Sequence, residues 1–334
     1  MTDLGKIDRD FFDEVIYPNL GADRDDVVVG PRHGVDFGVL EVGDRAVVLA
    51  TDPISILPEL GWERAGRLAL EVVLADVAVS GVPPTHLAIS LSLPPSMTDD
   101  ELGRLWRAIS DHAAELGVSV ASGHTARYPG IDTSWVGGAT ALGVGGHDDV
   151  VRPDGARPGD DLVISTGPAA EVTGLFATLF PEALELDAET VATAQERVDD
   201  IAVVADARAA FESGDVSAMH DATEGGLRGA LVEMADGAGV RFDVDREAVP
   251  VAPGVEAVCD AVGIDPWAAS SAGTLLIAVA DGADAVVDAL EASGTPAAVV
   301  GEVAAGEGVY VDGERVSTPD ADPAWTVFRE LSGS

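Results

Sequence analysis

The chain has 334 residues, of which 47% are hydrophobic, so it is long enough for two cores of ordinary size and too apolar to be disordered. With 59 acids against 19 basic residues, its formal charge of −40 repels nucleic acid and anionic membranes and suits a high-salt interior. No apolar run approaches the length of a membrane span, and the opening MTDLGKIDRDFF lacks the succession of a secretory signal, so a soluble cytoplasmic protein is expected. Cys259 is the only cysteine, which excludes an intrachain disulfide and multi-cysteine metal sites. Lys6 is the only lysine, so a P-loop is absent. Any phosphate bound here must be held by backbone N–H groups, arginines and metal ions.

Alternation and β-branched content in DDVVVG, FGVLEV and RAVVLATD predict three strands separated by turns. A helix is expected from Gly61 to about Val79, with Asp76 on or beside its buried face. HLAISLSLP reads as a strand. The next helix has Thr98 as N-cap, Glu101 completing a capping box, and Gly117 at its end. VSVASGHT and TSWVGGATALGVG read as further strands. Pro153, Gly155, Pro158 and Gly159 then interrupt all periodicity, which divides the chain into a β-rich domain, 1–150, and an α/β domain, 151–334. In the second domain the pattern predicts one long helix from about Glu189 to Phe211 and another from about Glu224 to Asp236 with Gly237 as its stop. Strands RFDVD and TLLIAVA, a helix GVEAVCDAVG and a final αβ pair follow. The residues after about Pro319 read as a surface tail.

The stretch HDATEGGL crowds acids and glycines in front of an apolar helix. Gly225 and Gly226 at a helix mouth could offer free N–H groups to an anion, with Asp221 and Glu224 as ligands of a bridging Mg²⁺. The alternative is a helix capped by Asp221 or Thr223, with the glycines as turn residues. Asp36, Asp52 and Asp76 each lie in an apolar context, and several such acids with almost no lysine to pair them favour a divalent metal. His124 in SGHTARYPG reads either as a hydrogen-bonded loop histidine or as a phosphate donor or acid–base residue. The remaining histidines, His220 among them, show no metal-ligand spacing. His33 could touch a ligand, and Cys259 reads as a packed small hydrophobe.

Six motifs in order, TDPI, DVAVSGVPP, SGHT, GARPGDDLVIST, HDATEGGLRGAL and SSAGTLLIAV, resemble the superfamily of aminoimidazole ribonucleotide (AIR) synthetase, thiamine-monophosphate kinase, selenophosphate synthetase and the hydrogenase-maturation protein HypE. The chain is most similar to the HypE branch and its archaeal relatives. The resemblance implies an α/β (α+β) two-domain PurM-like fold and a homodimer whose β-rich domains join in a shared barrel. It also implies ATP and Mg²⁺ as cofactors. By the same resemblance Asp36, Asp52, Asp76, Asp221 and Glu224 match metal ligands, and Asp76 and His124 match catalytic positions. Gly34, Asp36, Asp52, Gly123, Thr125, Thr223, Gly225 and Gly226 match nucleotide-binding positions. Two departures stand out: Ala75 replaces a common Asn, and His124 replaces a common acid, as in selenophosphate synthetase. HypE ends in a carbamoyl-carrying cysteine where this sequence ends RELSGS, which argues against self-carried chemistry and leaves room for a protein partner. The implied activity is phosphorylation of an amide or carbamoyl oxygen, the alternatives being a small-molecule kinase or a non-catalytic nucleotide-binding partner.

Overall fold

A computed structural model describes residue 7, residues 9–132 and residues 134–333; Lys6 lies outside them. After a short turn α1 (Arg9–Phe11), the first half forms a six-stranded sheet. Its strands are β1 (Val27–Val29), β2 (Gly38–Val42), β3 (Arg45–Ile54), β4 (Pro84–Leu93), β5 (Ser119–Arg127) and β6 (Gly137–Gly145), in the order β1-β2-β3-β6-β4-β5. Helix α2 (Trp62–Ala78) joins β3 to β4, and α3 (Asp99–Glu115) joins β4 to β5. A helical crossover returns the chain in the same direction, so β4 and β5 pair in parallel while the other pairs are antiparallel.

Along β3, Ala46, Val48, Ala50 and Ile54 are buried and their neighbours are not, which is the period of a sheet covered on one face. The helices cover that face. The opposite face carries Leu40, Val42, Val47, Leu49, Leu142 and Val144, none of them fully buried. The expected capping box of α3 is present: Thr98 Oγ1 accepts from the Glu101 amide, and Glu101 accepts from the Thr98 amide at 2.8 Å.

The second half is a seven-stranded sheet in the order β13-β12-β9-β11-β7-β10-β8. Its strands are β7 (Asp161–Ser165), β8 (Asp215–Asp221), β9 (Arg241–Val244), β10 (Leu275–Asp281), β11 (Ala297–Ala304), β12 (Gly308–Val311) and β13 (Glu314–Val316). Both faces of its centre are covered, which is why LLIAV reads as an unbroken apolar run. Leu162, Ile164, Leu276 and Ala278 pack with Leu227 and Leu231 of α7 (Gly226–Ala238). Val163, Ile277 and Val279 join the opposite cluster with α6 (Val203–Ser213) and α9 (Ala283–Ser293). That cluster is continuous with the core under α2, so the two halves share one apolar interior.

Three expectations are corrected. The single helix from Glu189 to Phe211 is two helices, α5 (Ala188–Gln195) and α6, separated by a 3-10 turn and by Ala202 in a non-helical conformation. An Arg197–Asp200 ion pair at 2.7 Å closes the bend, which lets Val198 and Ile201 turn inward. The helix placed at 224–236 begins two residues later and ends at Ala238, stopped by left-handed Gly239 rather than by Gly237. The surface tail is helix α10 (Pro323–Ser332), N-capped by Asp322 and packed through Val327 and Phe328 against the cluster containing α4 (Ala170–Leu179) and α8 (Val255–Val262).

Asp206 in α6 is wholly buried and accepts hydrogen bonds from Thr295 Oγ1 at 2.9 and 3.0 Å. Burial pushes its carboxyl up to about 6, against those hydrogen bonds, with Glu71 adding to the rise. A carboxyl raised in the fold keeps its proton longer there than in the unfolded chain, so stability falls as pH climbs from its ordinary value towards 6. Asp206→Asn keeps an acceptor and removes the charge. Thermal melts should show it gaining about 1–2 kcal/mol above pH 6 and nothing at pH 4.

Candidate functional site

Both halves contribute acids to one place. Asp52 lies near the end of β3 on the face that α2 covers, and Asp76 lies in the last turn of α2. Asp36 precedes β2 on a loop that reaches the second half because Gly34, at φ +69, passes close to the backbone of Glu233 in α7. A Cβ there would stand 3.3 Å from the Glu233 carbonyl oxygen. From the second half, β8 ends on His220 and Asp221, held in register against Leu276 and Leu275. One ligand atom each of Asp36, His220 and Asp221 lies within 4.8 Å of the others. His220 and Asp221 are buried and Asp36 is exposed, so the group opens to solvent on one side.

The electrostatics are those of crowded carboxylates. Asp76 is held well above the ordinary carboxyl range, first by burial, then by the charges of Asp221, Asp52 and Asp36 and by a hydrogen bond with Asp52. Burial disfavours the charged form of His220, but Glu233, Asp36 and Asp221 outweigh it and raise its affinity for a proton. Its Nε2 stands 3.2 Å from Glu233 and its Nδ1 3.7 Å from Asp221. Four neighbouring carboxylates whose mutual repulsion perturbs one of their number form an oxygen-rich donor set that fits a hard dication such as Mg²⁺. Sequence spacing gives His220 no metal signature because Asp36 and Glu233 lie on other segments, and it does not single out Glu233. A histidine beside an acid at a strand end, followed by an acid on the next helix, is the signal that could have found them.

In the turn after Asp221, Gly225 and Gly226 are the turn residues of the second sequence reading, at φ +83 and +62, but the cap it placed on Asp221 or Thr223 is on Gly225. Asp221 is the last residue of a strand, and the N-cap of α7 is Gly225, with no side-chain capping bond. The Gly225 N–H donates to Asp322 Oδ2 at 3.1 Å, and the Gly226 N–H donates to the Thr223 carbonyl at 2.9 Å. A Cβ on Gly226 would stand 2.4 Å from the Ala269 carbonyl oxygen, so this glycine is required by packing. Glu224 is outside the Asp36–His220–Asp221 group; its charge acts instead on Glu171 and Asp322.

Gly123, His124 and Thr125 lie apart from the acids of their own chain. The register aligns Asp52 with Ala139, Ile89 and Gly123, and places His124 in the next row. Alternate rows face opposite sides, so His124 is on the face away from Asp52, three strand spacings or about 14 Å across the sheet. Its Nε2 is 3.1 Å from the Tyr128 hydroxyl, and every residue of β5 except Ala126 is exposed. His33 Nε2 lies 3.0 Å from Asp13. Cys259 is buried in α8, and burial pushes its thiol up to about 12. A maleimide should leave it unmodified in the native protein and label it fully in denaturant; fast native labelling would contradict this packing.

Two domain families match the chain in order: the AIR synthase related protein N-terminal domain over residues 34–145 and the corresponding C-terminal domain over residues 157–314. A carbamoyl dehydratase HypE of Rhizobium leguminosarum bv. viciae is 31% identical over 289 residues, 84% of this chain and 80% of that protein. A putative hydrogenase expression/formation protein of Methanocaldococcus jannaschii is 26% identical over 280 residues, 82% of this chain and 80% of the relative. Among solved structures, E. coli HypE, a hydrogenase maturation protein, is similar with a TM-score of 0.71 at 25% identity, over 83% of this chain and 87% of that one. The architecture is therefore the two-domain PurM-like one expected from the sequence.

Proposed function

The chain belongs to the AIR synthase related family, and from that premise we propose that it is an ATP-dependent enzyme of the HypE type, which phosphorylates an amide or carbamoyl oxygen so that the oxygen can leave. The observation that carries the reading is the convergence of Asp36, Asp52, Asp76 and Asp221 from both halves, in a chain 31% identical over 289 residues to a carbamoyl dehydratase.

The four carboxylates would hold Mg²⁺, with His220 oriented between Asp221 and Glu233. When bound, the ion neutralises phosphate charge and polarises the transferring group. The chain's own part is to fix the acids in advance: Asp221 by strand register, Asp52 and Asp76 by the packing of α2 on β3. Thr223 stands on the turn where the phosphates would approach.

A second copy of the chain completes this reading. The half-open apolar face of the first sheet and the exposed β5 suit burial in a homodimer, which would carry Gly123, His124 and Thr125 to the partner's acids, where His124 could hand a proton to the leaving oxygen. Cys259 is too deeply buried to carry a carbamoyl group, so the acceptor is proposed to arrive on a partner protein or as a small molecule. A cytoplasmic, high-salt setting accords with the charge of −40, and no helix among the described residues is long and apolar enough to cross a membrane.

The test is ATP binding by titration calorimetry and phosphate release in high-salt buffer, with and without Mg²⁺. Mg²⁺-dependent binding with release of free phosphate supports the reading. Phosphate found on a metabolite would make the protein a kinase, and no binding at millimolar ATP would leave the acids without a nucleotide role.

A further inference from the structure

Helix α7 lacks a capping side chain of its own, because its N-cap is a glycine. The missing acceptor comes from the far end of the chain. Asp322, buried to 8% exposure, accepts from the Gly225 N–H through Oδ2 and from the Ala324 N–H through Oδ1 at 2.8 Å. One carboxylate thus caps α10 and also holds the turn that follows Asp221.

This carboxylate sits in company that disfavours it. Glu224 is next to Gly225, and Glu171, which accepts from Ser270 Oγ at 2.9 Å and the Ala272 N–H at 3.0 Å, lies in the same group. Both Glu171 and Asp322 are shifted upward, mainly by burial, with Glu224 adding to each. An acid that served only to start α10 would be no better for lying among acids, whereas one that must reach Gly225 has no other place to be.

Helix α10 also touches both halves. Trp325 lies against Trp135, on the loop before β6, with ring centroids 6.4 Å apart. A row of rings then runs through Phe328 at 6.5 Å to Phe180 at 5.7 Å in the second half. Helix α10 therefore bridges the loop before β6 and the second half, and Asp322 links it to Gly225.

We propose that Asp322 is a positioning residue for the 222–225 turn, and that α10 is the strap through which the placement of the two halves sets that turn. The proposal rests on the reading of this turn as a phosphate-approach element, so the experiment has one readout that needs ATP and one that does not. Hydrogen exchange over residues 223–228 and Mg-ATP titration are measured on the wild type, Asp322→Ala, Asp322→Asn and Trp325→Leu, each checked by thermal melt.

Loss of a cap bond predicts that Asp322→Ala speeds exchange in the turn and weakens Mg-ATP binding, each about fivefold, raising KM while kcat is kept. Asp322→Asn, with one side-chain oxygen for the two N–H donors, keeps only one of the two bonds and falls between the wild type and Asp322→Ala in both, and Trp325→Leu shifts them in the same direction as Asp322→Ala. Unchanged exchange in Asp322→Ala overturns the proposal whatever ATP does. Faster exchange with unchanged ATP affinity and KM overturns it too, leaving Asp322 a structural cap. Absence of Mg-ATP binding by the wild type would sink the underlying reading and the proposal with it, and the exchange data would still show whether Asp322 holds the turn.

Discussion

Asp221→Asn is expected to lower Mg²⁺-dependent ATP turnover by about a hundredfold or more, while leaving the protein at least as stable as the wild type. Two opposite signs are predicted because the residue has two opposite effects. Asp221 is almost completely buried at the end of β8, and its charge is the largest single charge acting on Asp76. Without a cation that repulsion works against folding, and an isosteric amide removes it. With a cation the same charge is attractive, and its loss weakens both the ion and the phosphate bound to it. Melting temperatures with and without Mg²⁺ separate the two states. The wild type should gain stability on adding Mg²⁺ and the variant should gain far less, because a ligand stabilises the state that binds it. Full turnover in the variant, or an equal rise in melting temperature in both proteins, would remove Asp221 from the metal site.

What could be read in the sequence was set by the distance over which each signal acts. The acids Asp36, Asp52 and Asp76 stand out because an acid in an apolar run conflicts with its own neighbourhood, and Asp221 because HDATEGGL crowds acids and glycines before a helix, signals visible within ten residues. The capping box at Thr98 and Glu101 is equally local and was found in full. Interactions that close over long separations were invisible. His220 gains its partners only where the Asp36 loop is seated against α7, and Asp322, in a stretch that reads as a tail, gains its role only where its carboxylate meets Gly225. The face on which His124 lies depends on sheet register, and shifting a strand by one residue would have turned it round. The long helix expected from Glu189 was a failure of another kind: apolar spacing persisted through the Asp199–Asp200 bend, because the core surrounds both helices and the turn between them.

The joint between the halves supplies the second large effect, since Glu71→Ala is expected to destabilise the protein by about 3 kcal/mol. Glu71 is buried in α2, where Oε1 lies 2.7 Å from His112 Nε2 of α3 and Oε2 accepts from the Val204 N–H of α6 at 3.3 Å. The carboxylate therefore binds two helices of the first half to one of the second, within the shared core. Truncation would leave the imidazole and the amide without their acceptor and open a cavity between the helices. The hydrogen bond to Glu71 is the main cause holding the His112 pKa above its ordinary value; Glu115 adds to it, while burial and Arg67 oppose it. A raised histidine pKa contributes stability that is fully present below the unfolded value of 6.5 and is lost as pH rises through the folded value. The gap in urea midpoint between wild type and Glu71→Ala should accordingly be wider at pH 6 than at pH 9. It should not close at pH 9, because the Val204 bond and the packing do not titrate with the imidazole. A gap independent of pH would mean that the contact acts through packing alone and that His112 carries no charge in the fold. A gap widening towards pH 9 would reverse the sign and exclude Glu71 as the group that holds the proton on His112.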